Sequence, residues 1–283
     1  MAFKIIECPR DAMQGIHEFI PTSTKIRYIQ QLLKVGFNTL DVGSFVSPRA
    51  IPQMKDTAEV LNQLDLSETD TKLLCIVANN KGADNAMAFD QVDYLGFPFS
   101  VSETFQVRNT NSTIEEAVKR VDYIQNLCEK NSKALVVYLS MGFGNPYGDA
   151  WSPEIVERWM EHMVQRGVKI ISLSDTIGVS NPDNIRSIYR QLSKSYPKIE
   201  IGAHLHTRPE SWKEKIQAAY ESGCTRYDGA IKGYGGCPMA TDTLTGNMPT
   251  ESLLSFLLEN NEAPGLNASE FSEAMRMSSE VFL

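Results

Sequence analysis

Two histidines, His204 and His206, close a strand-like run, Ile199-Glu200-Ile201-Gly202-Ala203-His204-Leu205-His206. Side chains two apart on a strand share a face. Glu200, Gly202, His204 and His206 therefore point one way, and Ile199, Ile201, Ala203 and Leu205 point toward a covering layer of helices. Neutral imidazoles offer nitrogen lone pairs with no charge to neutralise, which makes the pair a candidate for metal ligation. Gly202, beneath the two rings, leaves room between them. Histidines in ordinary hydrogen bonds show the same spacing, so the rest of a site has to come from elsewhere in the chain.

The elements that would position such a site alternate strictly. Strands are expected at 3–7, 38–42, 72–78, 92–98, 134–140, 169–173, 199–206 and 225–230. Helices are expected at 21–35, 51–64, near 82–89, at 114–129, from 152, and at 182–195, 210–222 and 249–259, with a terminal helical piece at 268–282. Apolar residues at helical spacing (Ile26, Ile29, Leu32, Leu33) and the almost continuously apolar run at 72–78 carry these assignments. Ser112 or Thr113 can cap the helix at 114, and Pro153 suits the first turn of the helix after Ser152. About eight strand–helix units match an α/β fold of the (β/α)8 TIM-barrel type, one domain over residues 1–283 with a short C-terminal helical appendage. A doubly wound open sheet is the alternative. No Gly-x-Gly-x-x-Gly follows the first strand to support it.

In such barrels the chemistry lies at the C-terminal ends of the strands. That rim would gather Arg10 and Asp11 after the first strand, Asp41 after the second, Asp175 after the sixth and the two histidines after the seventh. After the eighth it would gather Gly233-Tyr234-Gly235-Gly236-Cys237-Pro238 and Asn247. Asp11, His204, His206 and the Asn247 carbonyl make a mixed oxygen and nitrogen shell that suits octahedral Mg²⁺ or Mn²⁺. Zinc ranks second, with Cys237 as its one soft ligand. Blander readings exist. Arg10 and Asp11 can form a surface ion pair, Asp41 can merely anchor Arg10, Asp175 can cap a helix, Tyr138 can be core, and Cys237 can be a small hydrophobe.

Composition narrows the partners. The 283 residues carry a net charge of −8, which argues against nucleic-acid or anionic-membrane binding. No apolar run is long enough to cross a bilayer, and the N-terminus passes directly into a strand pattern with no targeting peptide. Five scattered cysteines without a Cys-x-x-Cys suit a reduced cytoplasmic protein.

Pro-Arg-Asp at 9–11, Ser-Phe-Val-Ser-Pro at 44–48 with Pro-Gln-Met at 52–54, Asp-Thr-Ile-Gly at 175–178, His-x-His at 204–206 and Gly-Gly-Cys-Pro at 235–238 resemble the 3-hydroxy-3-methylglutaryl-CoA lyase family. That family is a branch of the metal-dependent barrels that also include isopropylmalate and citramalate synthases. The resemblance runs from about Phe3 to about Leu258. It implies metal ligation by Asp11, His204, His206 and Asn247, a cationic role for Arg10, and a mobile loop at Cys237 as proton donor or gate. Arg10, Asp11, His204 and Cys237 are the implied catalytic residues, with Gln14, Asp41, Tyr138, Ser172 and Asp175 lining or supporting the site.

The implied reaction is retro-Claisen cleavage of an acyl-CoA thioester to acetyl-CoA and acetoacetate, by a cytoplasmic homodimer in leucine degradation or ketone-body formation. A sister aldolase or condensing enzyme is the alternative. Condensing relatives carry added C-terminal domains, and this chain stops soon after the barrel, which favours cleavage. A barrel that keeps its metal but has lost its chemistry is a second alternative. Ile6 stands where the lyases carry Glu, with Glu7 one position on. Asp41 replaces a longer Glu, His17 a Lys, and Thr207 follows His206 where Asp is usual, so the supporting acid expected there is missing.

Overall fold

Eight parallel strands pair in sequence order and close into a barrel. They are β1 (Lys4–Glu7), β2 (Thr39–Ser44), β3 (Lys72–Ile76), β4 (Val92–Ser100), β5 (Ala134–Ser140), β6 (Ile170–Asp175), β7 (Glu200–Leu205) and β8 (Arg226–Gly229). The computed structural model describes residues 3–236 and 245–282. β1 pairs on one side with β2 and on the other with β8, where Ile6 stands opposite Asp228. That closure leaves no sheet edge and excludes the open doubly wound alternative.

The helices are α1 (Pro9–Gln14), α2 (Thr22–Val35), α3 (Thr57–Asn62), α4 (Asn80–Ala86), α5 (Glu103–Thr110), α6 (Ile114–Lys130), α7 (Pro153–Gln165), α8 (Pro182–Ser195), α9 (Trp212–Glu221), α10 (Thr250–Glu259) and α11 (Ala268–Val281). Among the described residues no helix is long and apolar enough to cross a membrane.

Local chemistry explains most boundaries. Thr113, of the two candidates, caps α6: its side chain accepts from Glu116 N while the Glu116 carboxylate accepts from Thr113 N. The helix expected over 51–64 is instead a 3₁₀ turn (Pro52–Met54) followed by α3. Side-chain bonds, one from another helix and one local, take the carbonyls that a continuous helix would use. The buried Lys25 ammonium donates to Gln53 O and to Asp56 Oδ1, and Thr57 Oγ1 donates to Met54 O while accepting from Ser44 N. α1 and α5 had no periodic signature because six and eight residues barely exceed a turn or two.

The appendage α11 lies on α2, with Asn267 N bonded to Val35 O and Gln31 Nε2 to Glu270 O. Phe282, just past its end, packs edge-on against Tyr28 and stacks on Tyr234 of the loop after β8. Most of the core lies between barrel and helices, and includes Ile201, Ala203 and Leu205 of β7 as the alternation requires. A smaller apolar cluster, Leu74, Val136, Tyr138 and Ile170 with Ile76 and Tyr94, packs separately from it, on the inner face of the barrel.

Candidate metal centre and active-site cleft

The His204 and His206 rings lie side by side, centroids 5.2 Å apart. Ligand atoms of Asp11, His204 and His206 all fall within 4.8 Å of one another, although Asp11 is nearly two hundred residues away in the chain. Pro9 starts α1 directly after β1, and that single short helix carries Arg10, Asp11 and Gln14 onto the rim. Arg10 and Asp11 are 8% and 5% exposed, which excludes the surface-pair reading.

Arg10 organises this side of the site. Its Nε and Nη2 grip the Asp41 carboxylate, and its Nη1 donates to Asp11 Oδ1 and to Gln14 Oε1, both at 2.8 Å. Gln14 Nε2 also donates to Asp11 Oδ1. Burial works against ionisation of Asp11, but Arg10, the two imidazoles and the Asn247 amide outweigh it and hold the carboxyl below its ordinary range. Burial pushes Asp41 up to about 6 against the pull of Arg10. Asp41 is thus the anchor of Arg10, as one reading of the sequence had it.

The two histidines are held differently. His204 Nδ1 lies 3.1 Å from Asp228 Oδ2, the carboxylate–imidazole arrangement that fixes the tautomer of a metal ligand. His206 is 2% exposed, and neither of its ring nitrogens closes a well-formed hydrogen bond among the described residues. Burial first, then the neighbouring His204, lowers it to about 4, so the ring is neutral and its lone pair available. The Thr176 backbone lies close enough to act on one ring nitrogen, and the other, buried without a partner among the described residues, is costly unless something binds it. Two lone pairs facing an ionised carboxylate fit a divalent cation.

Asn247 reaches the same point. Its Nδ2 donates to Asp11 Oδ2 and to Tyr234 O, both at 2.8 Å. A half-turn of the amide would set its oxygen against both Asp11 and Tyr234 O, so Asn247 would serve as a ligand only where a bound cation offset that repulsion. Thr207 keeps Asn247 there. Its backbone N donates to Gly246 O, and its hydroxyl to Asn247 O. Gly235 is required nearby, because a Cβ on it would stand 2.7 Å from Asp11 O and 2.8 Å from Asn247 Nδ2. Cys237 lies outside the described residues.

The remaining expected residues separate. Arg10, Asp11, Gln14, Tyr138, His204 and His206 line one cleft of about 530 Å³. Away from the ligands its wall mixes apolar side chains, Val46, Ile51, Ile76 and Phe105, with polar ones such as Ser44, Asn79 and Ser140, and it includes Arg108 and Arg120. Tyr138 meets His204 edge-on at 5.5 Å, so it is at once cleft wall and interior core. Ser172 does not line the cleft: it lies fully buried one layer deeper, its Oγ beside Gly202. Asp175 stands behind His206. It accepts from Val179 N and Ser180 N and pairs with Lys215, whose ammonium also donates to His206 O. The cap of α8 is Asn181, so Asp175 is not a helix cap.

Two supporting residues were missed. Lys215 gives no signal in sequence, since a lysine on an amphipathic helix reads as solvent-facing. Asp228 sits in Thr225-Arg226-Tyr227-Asp228-Gly229, where an acid two after an arginine on a buried strand was a usable signal. Asp228 supplies the carboxylate that the sequence left missing at Thr207. The register explains Ile6 as well: alternation turns Glu7 outward, where it accepts from Ile231 N and Thr250 Oγ1, while Ile6 stands opposite Asp228.

A model of the HMGL-like family matches residues 3–277. The hydroxymethylglutaryl-CoA lyase YngG of Bacillus subtilis is 31% identical over 249 residues, covering 88% of this chain and 82% of that protein. The hydroxymethylglutaryl-CoA lyase of Pseudomonas mevalonii is 30% identical over 257 residues, 90% of this chain and 84% of its own. Among solved structures, the HMG-CoA lyase of Acinetobacter baumannii, in complex with coenzyme A and 3-methylmalate, superposes with a TM-score of 0.91 at 28% identity, covering 99% of this chain and 91% of that one. The Brucella melitensis HMG-CoA lyase gives the same score and identity over 99% and 98%.

Proposed function

The chain belongs to the HMGL-like family, and from that premise we propose that it is a carbon–carbon lyase cleaving 3-hydroxy-3-methylglutaryl-CoA to acetyl-CoA and acetoacetate, with Asp11, His204, His206 and Asn247 as its metal ligands. The observation that carries the assignment of ligands is the meeting of Asp11 and the two imidazoles at one point, with Arg10 bound to Asp11. A divalent cation bound there, Mg²⁺ or Mn²⁺ for a shell of oxygen and imidazole donors, supplies Lewis acidity to the substrate hydroxyl and to an adjacent oxygen.

Cleavage removes the proton of the tertiary hydroxyl and breaks the neighbouring C–C bond. The hydroxyl carbon becomes the ketone of acetoacetate, and the bonding pair passes to the thioester enolate. Arg10 suits that enolate. A guanidinium has five N–H donors; the contacts above use one on Nε, two on Nη1 and one on Nη2. One Nη2 hydrogen is left for the developing negative oxygen, in a site where burial strengthens it. The enolate carbon then takes up a proton to give acetyl-CoA. Cys237 is our candidate donor or gate, because Gly235, two residues before it, lies against Asp11 and Asn247. The cleft beyond the ligands, with apolar side chains and the cations Arg108 and Arg120 in its wall, suits a pantetheine arm ending in phosphate. Residence in the cytoplasm as a homodimer, and service in leucine degradation or ketone-body formation, extend this reading on resemblance alone.

Purified protein given Mg²⁺ or Mn²⁺ and 3-hydroxy-3-methylglutaryl-CoA is expected to release acetyl-CoA and acetoacetate in equal amounts, and to stop on chelation. Turnover of a hydroxy-oxo acid without turnover of any acyl-CoA would overturn the assignment. The idea of a barrel that lost its chemistry rested on Ile6 and Thr207. Asp228 supports His204 and Thr207 holds Asn247, which removes that motive.

A further inference from the structure

Arg226 lies inside the barrel, one layer below His204 and packed over Gly202. Its side chain is 1% exposed, and Nη1 donates to Glu200 Oε1 at 2.9 Å, with Lys4 on the far side of that carboxylate. Its Nε and Nη2 find no hydrogen-bond partner among the described residues. Neither do the buried Ser172 Oγ, Tyr138 Oη and Asp228 Oδ1. The register collects these atoms. Tyr138 pairs with Ser172, Ser172 with Gly202 and Gly202 with Arg226, which makes one layer. His204 and Asp228 each follow two residues later and form the layer above.

The room that Gly202 leaves is therefore used, though not by a metal. A Cβ there would stand 3.0 Å from Arg226 Cδ and 3.1 Å from Ser172 Oγ. Asp228 Oδ2 accepts from His204 Nδ1, and its Oδ1 stays buried and unmatched among the described residues. An internal guanidinium with two idle nitrogens is strongly destabilising unless ordered water completes it. Here idle donors and one idle carboxylate oxygen occupy adjoining layers of the same wall, within reach of a few bridging waters.

We propose that Arg226 is a positioning residue: through ordered water it fixes Asp228 by Oδ1, so that Oδ2 holds the His204 Nδ1–H and the Nε2 lone pair faces the ligand cluster. The consequence for metal affinity rests on the ligands proposed above; the consequence for the ring does not.

The test uses Arg226→Met and Arg226→Lys in the full chain. Mn²⁺ affinity, read by electron paramagnetic resonance, should fall roughly 10-fold or more in Arg226→Met, the size of effect seen when support behind a ligand is lost, and should largely return in Arg226→Lys. In an Asp228→Asn background Arg226→Met should cost nothing more. In metal-free protein at alkaline pH, ring nitrogen NMR shifts should report an Nδ1–H tautomer for His204 in the wild type and a mixture in Arg226→Met. With four histidines in the chain, each ring is assignable by single replacement.

A folded Arg226→Met with the wild-type tautomer and Mn²⁺ affinity within about twofold would overturn the proposal, as would additive losses in the double variant. Should Arg226→Met not fold, Arg226→Gln takes the same measurements. Wild-type protein that takes no Mn²⁺ would overturn the ligand assignment, and the tautomer comparison alone would then decide the role of Arg226.

Discussion

Two sides of the barrel interior follow opposite chemistry. Along β7 and β8, and just past the end of β1, the inward positions carry Glu200, His204, Arg226, Asp228 and Cys8, close to Arg10, Asp11 and Asp41 on the rim. Along β3 to β6 they carry Leu74, Ile76, Tyr94, Val136 and Ile170. The apolar side could have been filled by many combinations of similar volume. The polar side is specified pair by pair, since each buried charge there needs a partner in reach. The contrast is functional. The apolar side chains facing the charges lower the local dielectric, so the Arg10 and Asp11 charges act more strongly on a bound substrate. The apolar side contributes packing and the polar side chemistry, and substitutions should separate the two.

The largest effect is expected on the polar side. Asp11→Asn should abolish tight Mn²⁺ binding and lower turnover by about 10³-fold or more, since it removes the one anion of the ligand cluster, with the thermal midpoint little lowered. Titration calorimetry with Mn²⁺ checks it. Arg10→Gln should cost about 10²–10³-fold in kcat, the size of losing a donor to a developing oxyanion, while Mn²⁺ still binds; steady-state kinetics beside the same titration separates the two.

Leu74→Ala probes the other side. It should lower stability by about 2–4 kcal/mol through the cavity it opens and leave Mn²⁺ affinity within about twofold, measured by urea unfolding and metal titration. If metal affinity fell with it, the division between the sides would not hold. Asp228→Asn should weaken Mn²⁺ by roughly 10- to 100-fold with a smaller loss of stability.

The mildest expectation concerns pH. Burial raises Glu7 from its ordinary 4.5 to about 8. The folded chain therefore keeps a proton that the unfolded chain releases, and stability declines as pH rises between these values. Glu7→Gln can retain the bonds to Ile231 N and Thr250 Oγ1 without a charge. Its thermal midpoint should fall less than that of the wild type between about pH 5 and about pH 8, as differential scanning fluorimetry would show.

How far the sequence was legible depended on how local the determining force was. Strand–helix alternation, the Thr113 cap and the inward face of β7 follow from neighbours a few residues away, and the structure agrees with them. The helix over 51–64 was misjudged because Lys25, on another helix, takes the Gln53 carbonyl. Ser172 was placed on the rim because strand ends are read only to within a residue or two, and one layer of the barrel separates the cleft wall from the interior. Asp228 was passed over although its strand was expected, because nothing local says what an inward acid on β8 faces; only closure against β1 and β7 brings it to His204.

What the chain alone determined was the inventory: parallel strands wrapped in helices, a low-dielectric core, and acids, imidazoles, an arginine and an amide at strand ends. Those follow from side-chain periodicity and turn chemistry, which act over short stretches. Barrel closure and register decided the rest: that Asp228 and not a residue next to His206 supports the imidazole, that Thr207 carries Asn247, and that Arg226 fills the space over Gly202. Such pairings depend on which strands become neighbours, and a residue's distance along the chain carries no information about who faces it across a closed sheet.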